Sequence, residues 1–279
     1  MAALLALISS IAWGIADFGG GLATRRIGAL RVLTVSYPAG AIVVTLLALT
    51  IVPGTLSSSV LWLSVYTAAV GTIAMVLLYA ALAVGPMGIV SPLTAAGGAA
   101  VPVIVGLARG ESLTTLIVLG IVLAGIAVIL VSRESGPHPK VSARGLLLSG
   151  GAGLFIGLYL VGLGVAPEGS GVWVAALSRW WSTLGVVIVV LVMFARGRGG
   201  VWTPYPWAFA LLAGSLDATA NGLFQLAASG GDLVVVAVIG SLYPAATLLL
   251  AHWFLHERMS KVQWSGVVLA LAAAVALAV

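Results

Sequence analysis

Apolar stretches of about 20 residues, the length that an α-helix needs to cross the hydrocarbon core of a bilayer, recur from one end of this chain to the other. Hydrophobic residues make up 62% of the 279 positions and charged residues only 7%. A soluble domain carries roughly 25% charged residues. A soluble fold is therefore excluded, and the sequence predicts an all-α polytopic membrane protein.

The apolar runs and the turns between them predict ten transmembrane helices in two groups of five. The first group covers residues 2–22, 32–52, 60–84, 88–107 and 114–131, and the second covers residues 144–165, 172–194, 206–228, 233–255 and 260–279. The most hydrophilic stretch, residues 133–143, lies between the groups. We therefore divide the chain into a first repeat (1–132), a polar linker (133–143) and a second repeat (144–279).

The two groups match each other when one is shifted by 146 positions. This shift places Glu111 on Glu257 and Thr114 on Ser260. Thr114 and Ser260 are each suited to cap the helix that follows. Because a unit of five crossings is repeated, the second copy must enter the membrane from the opposite side. We expect two inverted five-helix repeats around a central cavity, as in secondary transporters.

Predicted helix 8 carries a polar stripe of Asp217, Asn221 and Gln225. These residues are four positions apart, so they share one helical face. Polar side chains near the middle of a span are costly unless they face protein or a water-filled cavity. The same shift places Gln225 on Tyr79. We therefore expect helices 3 and 8 to form equivalent walls of the cavity.

Asp17 in helix 1 and Arg179 in helix 7 are the other charged residues that lie away from the ends of spans. Their depths pair Arg179 with Asp217 and leave Asp17 nearer the membrane surface without an obvious basic partner. Burial favours the neutral form of a carboxylate, so Asp17 or Asp217 is a candidate for carrying a proton during transport. The alternative is a purely structural Arg179–Asp217 pair, which leaves Asn221 and Gln225 to meet the substrate.

Aromatic side chains within spans extend the predicted site. They can supply an apolar wall, hydroxyl groups and a ring face for a cation, although packing alone is the alternative. Ser91 and Tyr243 each precede a proline, which bends a helix and frees a carbonyl group. The predicted substrate-binding residues are Trp13, Tyr79, Ser91, Tyr159, Arg179, Asn221, Gln225 and Tyr243, with Asp17 and Asp217 in proton coupling or the ion pair.

Several other functions are not supported. The chain has no cysteine, which excludes disulfides and thiolate metal sites. The sequence shows no metal-ligand cluster, phosphate-binding loop or nucleophile–base pair, so we expect no metal, no cofactor and no catalysis. The net charge of +5 lies mostly in short loops and indicates membrane topology rather than nucleic-acid binding. The first span starts at Ala2 without a charged region before it, so no cleaved signal peptide is expected.

Trp13-Gly14, the basic residues that follow helix 1 and the turns at Glu111 and Glu257 resemble the EamA-type transporters of the drug/metabolite transporter superfamily. The resemblance covers the whole chain. It implies alternating access, a cavity lined mainly by helices 1, 3, 4, 6, 8 and 9, and peripheral helices 5 and 10. It also implies efflux of amino acids or other small metabolites, and both termini in the cytoplasm. The Lys and Arg residues instead favour both termini outside, and both orientations stay open.

We predict a secondary transporter of a small organic metabolite in a prokaryotic inner or plasma membrane, with its substrate and the lipid bilayer as partners. One alternative is an uptake carrier for a cationic or quaternary-ammonium solute, and another is a lipid-handling protein or flippase. A monomer is compatible with the sequence because one chain already supplies both inverted halves. An intramembrane enzyme is disfavoured, because the acids within spans have no His or Lys at their depth.

Overall fold

The structure is a computed structural model that describes residues 1–84, 87–133, 142–196, 207–256 and 259–278, without the side chains of residues 25, 26, 29, 79, 82–84 and 87–92. Every regular element in these ranges is an α-helix. The helices are α1 (Ala2–Ile27), α2 (Ala29–Thr50), α3 (Ser58–Val84), α4 (Met87–Ala108), α5 (Thr115–Val131), α6 (Ala143–Gly164), α7 (Trp173–Ala195), α8 (Trp207–Ser229), α9 (Leu233–Gly240), α10 (Tyr243–Leu255) and α11 (Lys261–Ala278).

Seven stretches of the described chain are long and apolar enough to cross a membrane. They correspond to α1, α2, α3, α6, α7, α11 and the joined α9 and α10. Leu93–Ala108 in α4 and all of α5 are apolar but shorter. α8 has a sufficient length of 23 residues but does not qualify, because its polar stripe lowers its mean hydropathy.

The segment between the first two helices differs from the prediction. α1 was expected to end at residue 22 and α2 to begin at residue 32, with a basic loop between them. Only Gly28 separates the two helices, at a φ of 81°. The apolar pattern ends where the hydrocarbon ends, whereas arginine and other helix-forming residues continue the helix into the interface. Gly28 stops it because glycine adopts positive φ without steric cost.

The predicted helix at 233–255 is also different, because it is two helices. α9 ends at Gly240, α10 begins at Tyr243, and Ser241 and Leu242 form a turn between them. Pro244 lies in the first turn of α10. It has no N–H to donate to the carbonyl four residues earlier, that of Gly240. The sequence predicts a bend at this proline. The structure shows a break in the α-helical hydrogen bonding at Ser241 and Leu242, while both residues keep right-handed backbone angles.

The two predicted helix caps are confirmed. The Thr114 hydroxyl accepts a hydrogen bond from the Ile117 N–H at 3.2 Å at the start of α5. Ser260 and Gln263 form a reciprocal capping box before α11, with distances of 3.2 and 2.9 Å. Equivalent positions of the two halves thus begin their last helices in the same way.

Packing between the helices follows the 146-residue shift, which relates α1 to α6 and α3 to α8. The most extensive contacts are those of α1 with α8, of α3 with α6 and of α5 with α11. The shift converts the α1–α8 pair into the α6–α3 pair. It also exchanges α5 and α11 with each other. Each half therefore contributes equivalent helices to the same interfaces.

α7 lies between α2 and α3 and is fastened to both by adjacent tryptophans. The Trp180 indole N–H donates to the Thr45 hydroxyl of α2 at 3.0 Å. The Trp181 N–H donates to the Ser64 hydroxyl of α3 at 3.2 Å. Since both rings are more than 40% exposed, these contacts lie at the edge of the helix bundle. They connect a helix of the second half to two helices of the first.

Candidate functional site

An ion pair lies in the interior of the bundle. Arg179 of α7 donates through Nη2 to the Asp217 carboxylate of α8. The depths of the two residues along their helices predict the same pair. The Arg179 guanidinium stands over the Tyr37 ring of α2, with Cζ 4.9 Å from the ring centroid. Contacts of this kind stabilise a cation. Arg179 is thus held between a carboxylate and an aromatic face.

Asn221 adjoins this pair one turn further along α8. Its amide nitrogen donates to the backbone carbonyl of Asp217 at 2.7 Å and to the Asp217 carboxylate at 3.3 Å. These two contacts fix which end of the Asn221 amide points toward Asp217. If the amide were flipped, its oxygen would face two other hydrogen-bond acceptors. The Asn221 Oδ1 atom is buried and accepts no hydrogen bond from the described residues. A buried acceptor without a donor is costly.

Asp17 of α1 is the third charged residue near this ion pair. It interacts electrostatically with Asp217 and with Tyr243 of α10. The residue is exposed and lies within electrostatic range of groups on two other helices. Its depth in the membrane stays a prediction. Among the described residues it has no hydrogen-bond or ion-pair partner.

Tyr159 of α6 completes the cluster. It lies within electrostatic range of Arg179, Asp217 and Tyr37. Its ring occupies the space in front of Gly71, where a Cβ atom would lie 2.8 Å from the Tyr159 Cδ2 atom. The repeat relates Gly71 to Asp217. The first half therefore has space for an aromatic ring where the second half has a carboxylate.

We call Asp17, Tyr37, Tyr159, Arg179, Asp217, Asn221 and Tyr243 the polar cluster. Tyr37 is not among the site residues that the sequence predicts. It had a usable signal, because Tyr37-Pro38 is the same dipeptide as Tyr243-Pro244 and both lie within spans. Only the fold shows that it faces Arg179.

Trp13 lies against the break between α9 and α10. Its ring is 5.6 Å from that of Phe224, at 42°, and a Cβ atom on Gly240 would lie 3.3 Å from the Trp13 ring. The next residue, Gly14, allows close approach, because its Cβ atom would lie 2.8 Å from the Tyr243 carbonyl oxygen. The Thr247 hydroxyl donates to the Gly14 carbonyl at 3.1 Å. α1 therefore supports the break directly.

Gln225 is not part of the polar cluster. It lies two helical turns beyond Asp217, is completely buried, and accepts a hydrogen bond from the Ala175 N–H at 2.8 Å. Its amide nitrogen donates to the Gly171 carbonyl at 2.8 Å. α7 has no cap from its own N-cap residue, so Gln225 caps this helix from α8. Both ends of the Gln225 amide are engaged by protein in this conformation.

Glu111 has the same kind of role, and the sequence did not reveal it. Its two carboxylate oxygens accept hydrogen bonds from the N–H groups of Leu233 and Val234 at 2.9 and 2.8 Å. These groups begin α9, whose N-cap residue Asp232 makes no side-chain cap. A negative charge at a helix N-terminus is favourable. The recurrence of glutamate at positions 111 and 257 was the available signal, and residue 257 lies outside the described residues.

The side of the bundle at which α1 begins, here called the N-terminal side, is closed by contacts between the halves. The Thr55 N–H donates to the Gly169 carbonyl at 2.8 Å. The Trp173 indole N–H donates to the Gly54 carbonyl at 3.1 Å. Glu111 adds its link to α9. The polar cluster is thus separated from the N-terminal side by packed chain.

Two predicted site residues, Tyr79 and Ser91, have side chains outside the described residues, so their roles stay predictions. In the part of the chain that the structure describes, no three His, Asp or Glu residues come together as metal ligands.

A model of the EamA-like transporter family matches residues 1–133 and again residues 143–279. A search of curated proteins finds no match. One solved structure, titled "Crystal structure of protein", is similar with a TM-score of 0.78 and 15% identity, over 99% of this chain and 95% of the other. At that identity the likeness establishes the fold alone.

Proposed function

This chain belongs to the EamA-like transporter family, and from that premise we propose that it is a secondary transporter of a small organic metabolite. Charged side chains inside a membrane are expensive and mark pathways for ions or substrates. The polar cluster places Asp17, Arg179 and Asp217 together within an otherwise apolar bundle. This observation carries the proposal. The substrate and the lipid bilayer are its proposed partners, and a monomer is the proposed unit.

The proposal includes ten spans arranged as two inverted repeats. Two features support it: the family model matches the two halves separately, and the shift converts the α1–α8 interface into the α6–α3 interface. In this arrangement α8 crosses the membrane despite its polar stripe, because the stripe faces protein. Broken helices at the interface of the halves are typical of transporter binding sites. The α9–α10 break beside Trp13 fits that position.

The structure supports alternating access through its closed N-terminal side. Opening this side separates Gly54 from Trp173, Thr55 from Gly169, and Glu111 from the start of α9. These three contacts are hydrogen bonds to backbone atoms at helix ends and in loops, so they can break while the helices stay intact. The proposed role is efflux across a prokaryotic inner membrane.

We further propose that Asp17 couples transport to proton movement. It is exposed within the bundle, unpaired among the described residues, and able to gain or lose a proton without breaking an ion pair. The groups that face it are Asp217 of α8, itself paired with Arg179, and Tyr243 of α10. His252, also on α10, lies edge-on to Trp264 at 5.8 Å.

Purified protein in proteoliposomes provides the test. Uptake of radiolabelled amines, amino acids and neutral metabolites is measured with and without a pH gradient, for the native chain, Asp17→Asn and a matched control, Asp232→Asn. We expect at least one solute to move and Asp17→Asn alone to lose the response to pH. Movement of lipid without movement of any soluble solute contradicts the proposal and favours the flippase. Equal pH responses of all three proteins refute the coupling role.

A further inference from the structure

We infer that Asn221 is a positioning residue, which holds the Asp217 carboxylate on Arg179 by one oxygen only. The intact ion pair then meets the substrate through the atoms that the pair itself does not use. The inference rests on the proposed transport function and assigns the contacts of that site. The sequence left two roles open for Asp217, a proton carrier and a member of a purely structural pair. The contacts of Asp217 point to this third one.

One oxygen of the Asp217 carboxylate accepts both of its hydrogen bonds. The Oδ2 atom accepts from Arg179 Nη2 and, at 3.3 Å, from Asn221 Nδ2. The Oδ1 atom accepts none from the described residues. A guanidinium and a carboxylate often pair through two parallel hydrogen bonds, which engage both oxygens. This pair has a single bond, so one carboxylate oxygen is left over.

The unused atoms of the pair are accessible. The Nε and Nη1 groups of Arg179 also make no hydrogen bond to a described residue. Among the residues of the described chain that are partly or fully buried, Asn221 Oδ1 is the only buried side-chain polar atom without a hydrogen bond. Solvent therefore reaches Asp217 Oδ1 and the two Arg179 nitrogens, in side chains that are 36% and 11% exposed. The intact pair presents one acceptor and several donors.

Asn221 keeps the pair in this form. Its Nδ2 atom also donates to the Asp217 backbone carbonyl at 2.7 Å, which fixes the donor on the turn that carries the carboxylate. The carboxylate cannot turn both oxygens onto Arg179 without losing this donor from Oδ2. The Tyr37 ring, 4.9 Å from Arg179 Cζ, covers one face of the guanidinium and restricts its plane. Asn221 and Tyr37 thus set the two sides of the pair independently.

The burial of Asn221 supports a positioning role over a role in packing. The residue is 3% exposed, and its Oδ1 atom is buried without a donor. Such an atom is unfavourable, and an apolar side chain of similar size would avoid the cost. Because Oδ1 of Asn221 is buried, this atom does not meet the substrate in this conformation. What the amide contributes is its nitrogen, at Asp217.

The unused atoms fit a substrate head group that both accepts and donates hydrogen bonds. It accepts from the Arg179 N–H groups and donates to Asp217 Oδ1. Hydroxyl, amide and amino-acid head groups all do both. Neither charge of the pair has to be displaced, so binding leaves no buried charge without its partner.

Chemical modification of Arg179 tests the role of Asn221 on the purified full-length protein. The reagent is p-hydroxyphenylglyoxal, which attacks guanidinium groups, and mass spectrometry measures its rate at Arg179 against the exposed Arg196. In Asn221→Leu the carboxylate should close onto Arg179 through both oxygens. We expect the rate at Arg179 to fall about tenfold, the effect of one more charge-assisted hydrogen bond. Thr219→Val is the matched control and should keep the native rate, because the Thr219 hydroxyl bonds only to Ser215 of its own helix.

The rate at Arg179 decides the inference. An unchanged or faster rate in Asn221→Leu overturns it, since a merely structural asparagine would loosen the pair when replaced. An unreactive Arg179 in the native chain overturns it as well. Asn221→Ala, which also removes the amide, gives the same test if the leucine variant does not fold.

Transport in proteoliposomes separates this inference from the proposed function. For a radiolabelled solute that the native chain moves, Asn221→Leu should raise KM and leave the maximal rate unchanged, as expected when a binding contact is lost. A native KM in a variant whose Arg179 is protected refutes the substrate contact. Protection of Arg179 without transport of any solute by the native chain refutes the transporter and keeps the role of Asn221.

Discussion

Replacing Gln225 by leucine is expected to lower the free energy of unfolding by about 2–4 kcal/mol, although leucine is apolar and of similar size. Gln225 makes two buried hydrogen bonds of 2.8 Å, with the Ala175 N–H and with the Gly171 carbonyl. The variant leaves both backbone groups buried and unpaired, which at about 2–2.5 kcal/mol each costs about 4–5 kcal/mol. The apolar side chain returns about 1–2 kcal/mol of that cost, because burying leucine is favourable.

Thermal unfolding followed by tryptophan fluorescence measures this effect, since the chain has nine tryptophans. A loss of about 2–4 kcal/mol corresponds to a fall of roughly 4–8 °C in Tm for a chain of this size. Ser229→Ala is the matched control on the same helix, because the Ser229 hydroxyl is exposed and contacts only its own helix. We expect that change to stay within about 0.5 kcal/mol. An unchanged Tm for Gln225→Leu would refute the capping role.

Three further predictions concern the closed N-terminal side and the ion pair. Glu111→Gln should weaken the cap on α9 and open the N-terminal side. In a chain that also carries Ser170→Cys as its one cysteine, a membrane-impermeant maleimide should then react faster at position 170. An unchanged rate would contradict the role of Glu111 in closing this side. Gly14→Val should push α1 from the start of α10 and lower Tm by roughly 2–6 °C, because overpacking costs about 1–3 kcal/mol. Native stability would show that the contact accommodates the larger side chain. Arg179→Leu alone should destabilise the protein more than the double variant Arg179→Leu with Asp217→Asn, because the single change leaves the Asp217 charge without its partner. Additive losses in thermal unfolding would contradict that reading.

The parts of this fold that follow from local chemistry were predictable. Span positions depend on apolar length, and the Thr114 and Ser260 caps depend on residues within one turn. The Arg179–Asp217 pair was also accessible, because few charged side chains lie within spans and their depths restrict the choice of partner.

The parts that depend on distant neighbours were not predictable. Gln225 and Glu111 each cap a helix more than 45 positions away in sequence, and no local pattern selects that partner. The stripe on α8 correctly indicated an unusual face, but it did not show that its members divide between two tasks. Asp217 and Asn221 belong to the polar cluster, and Gln225 belongs to the start of α7. The break after Gly240 needed the packing of Trp13 and Gly14 as well as the proline.

This division of tasks indicates which parts can move when the N-terminal side opens. α7 and α8 are joined at two depths, by Gln225 at the start of α7 and by Asp217 at Arg179. These two helices should therefore move together. The contacts that must break are those that close the N-terminal side. Among the described residues, four hydrogen bonds of 3.1 Å or shorter link the halves at the helix ends of that side, two between neutral groups and two to the Glu111 carboxylate.

At about 1 kcal/mol for each neutral bond and about 2 kcal/mol for each charged one, these four contacts contribute about 6 kcal/mol. A ligand must supply about 5.5 kcal/mol of differential affinity to take a two-state equilibrium from 1:99 to 99:1. The closure is therefore of the same order as the differential affinity by which a ligand shifts such an equilibrium. Because Glu111 supplies about two thirds of it, Glu111 is the residue at which the balance between the two states is most easily changed.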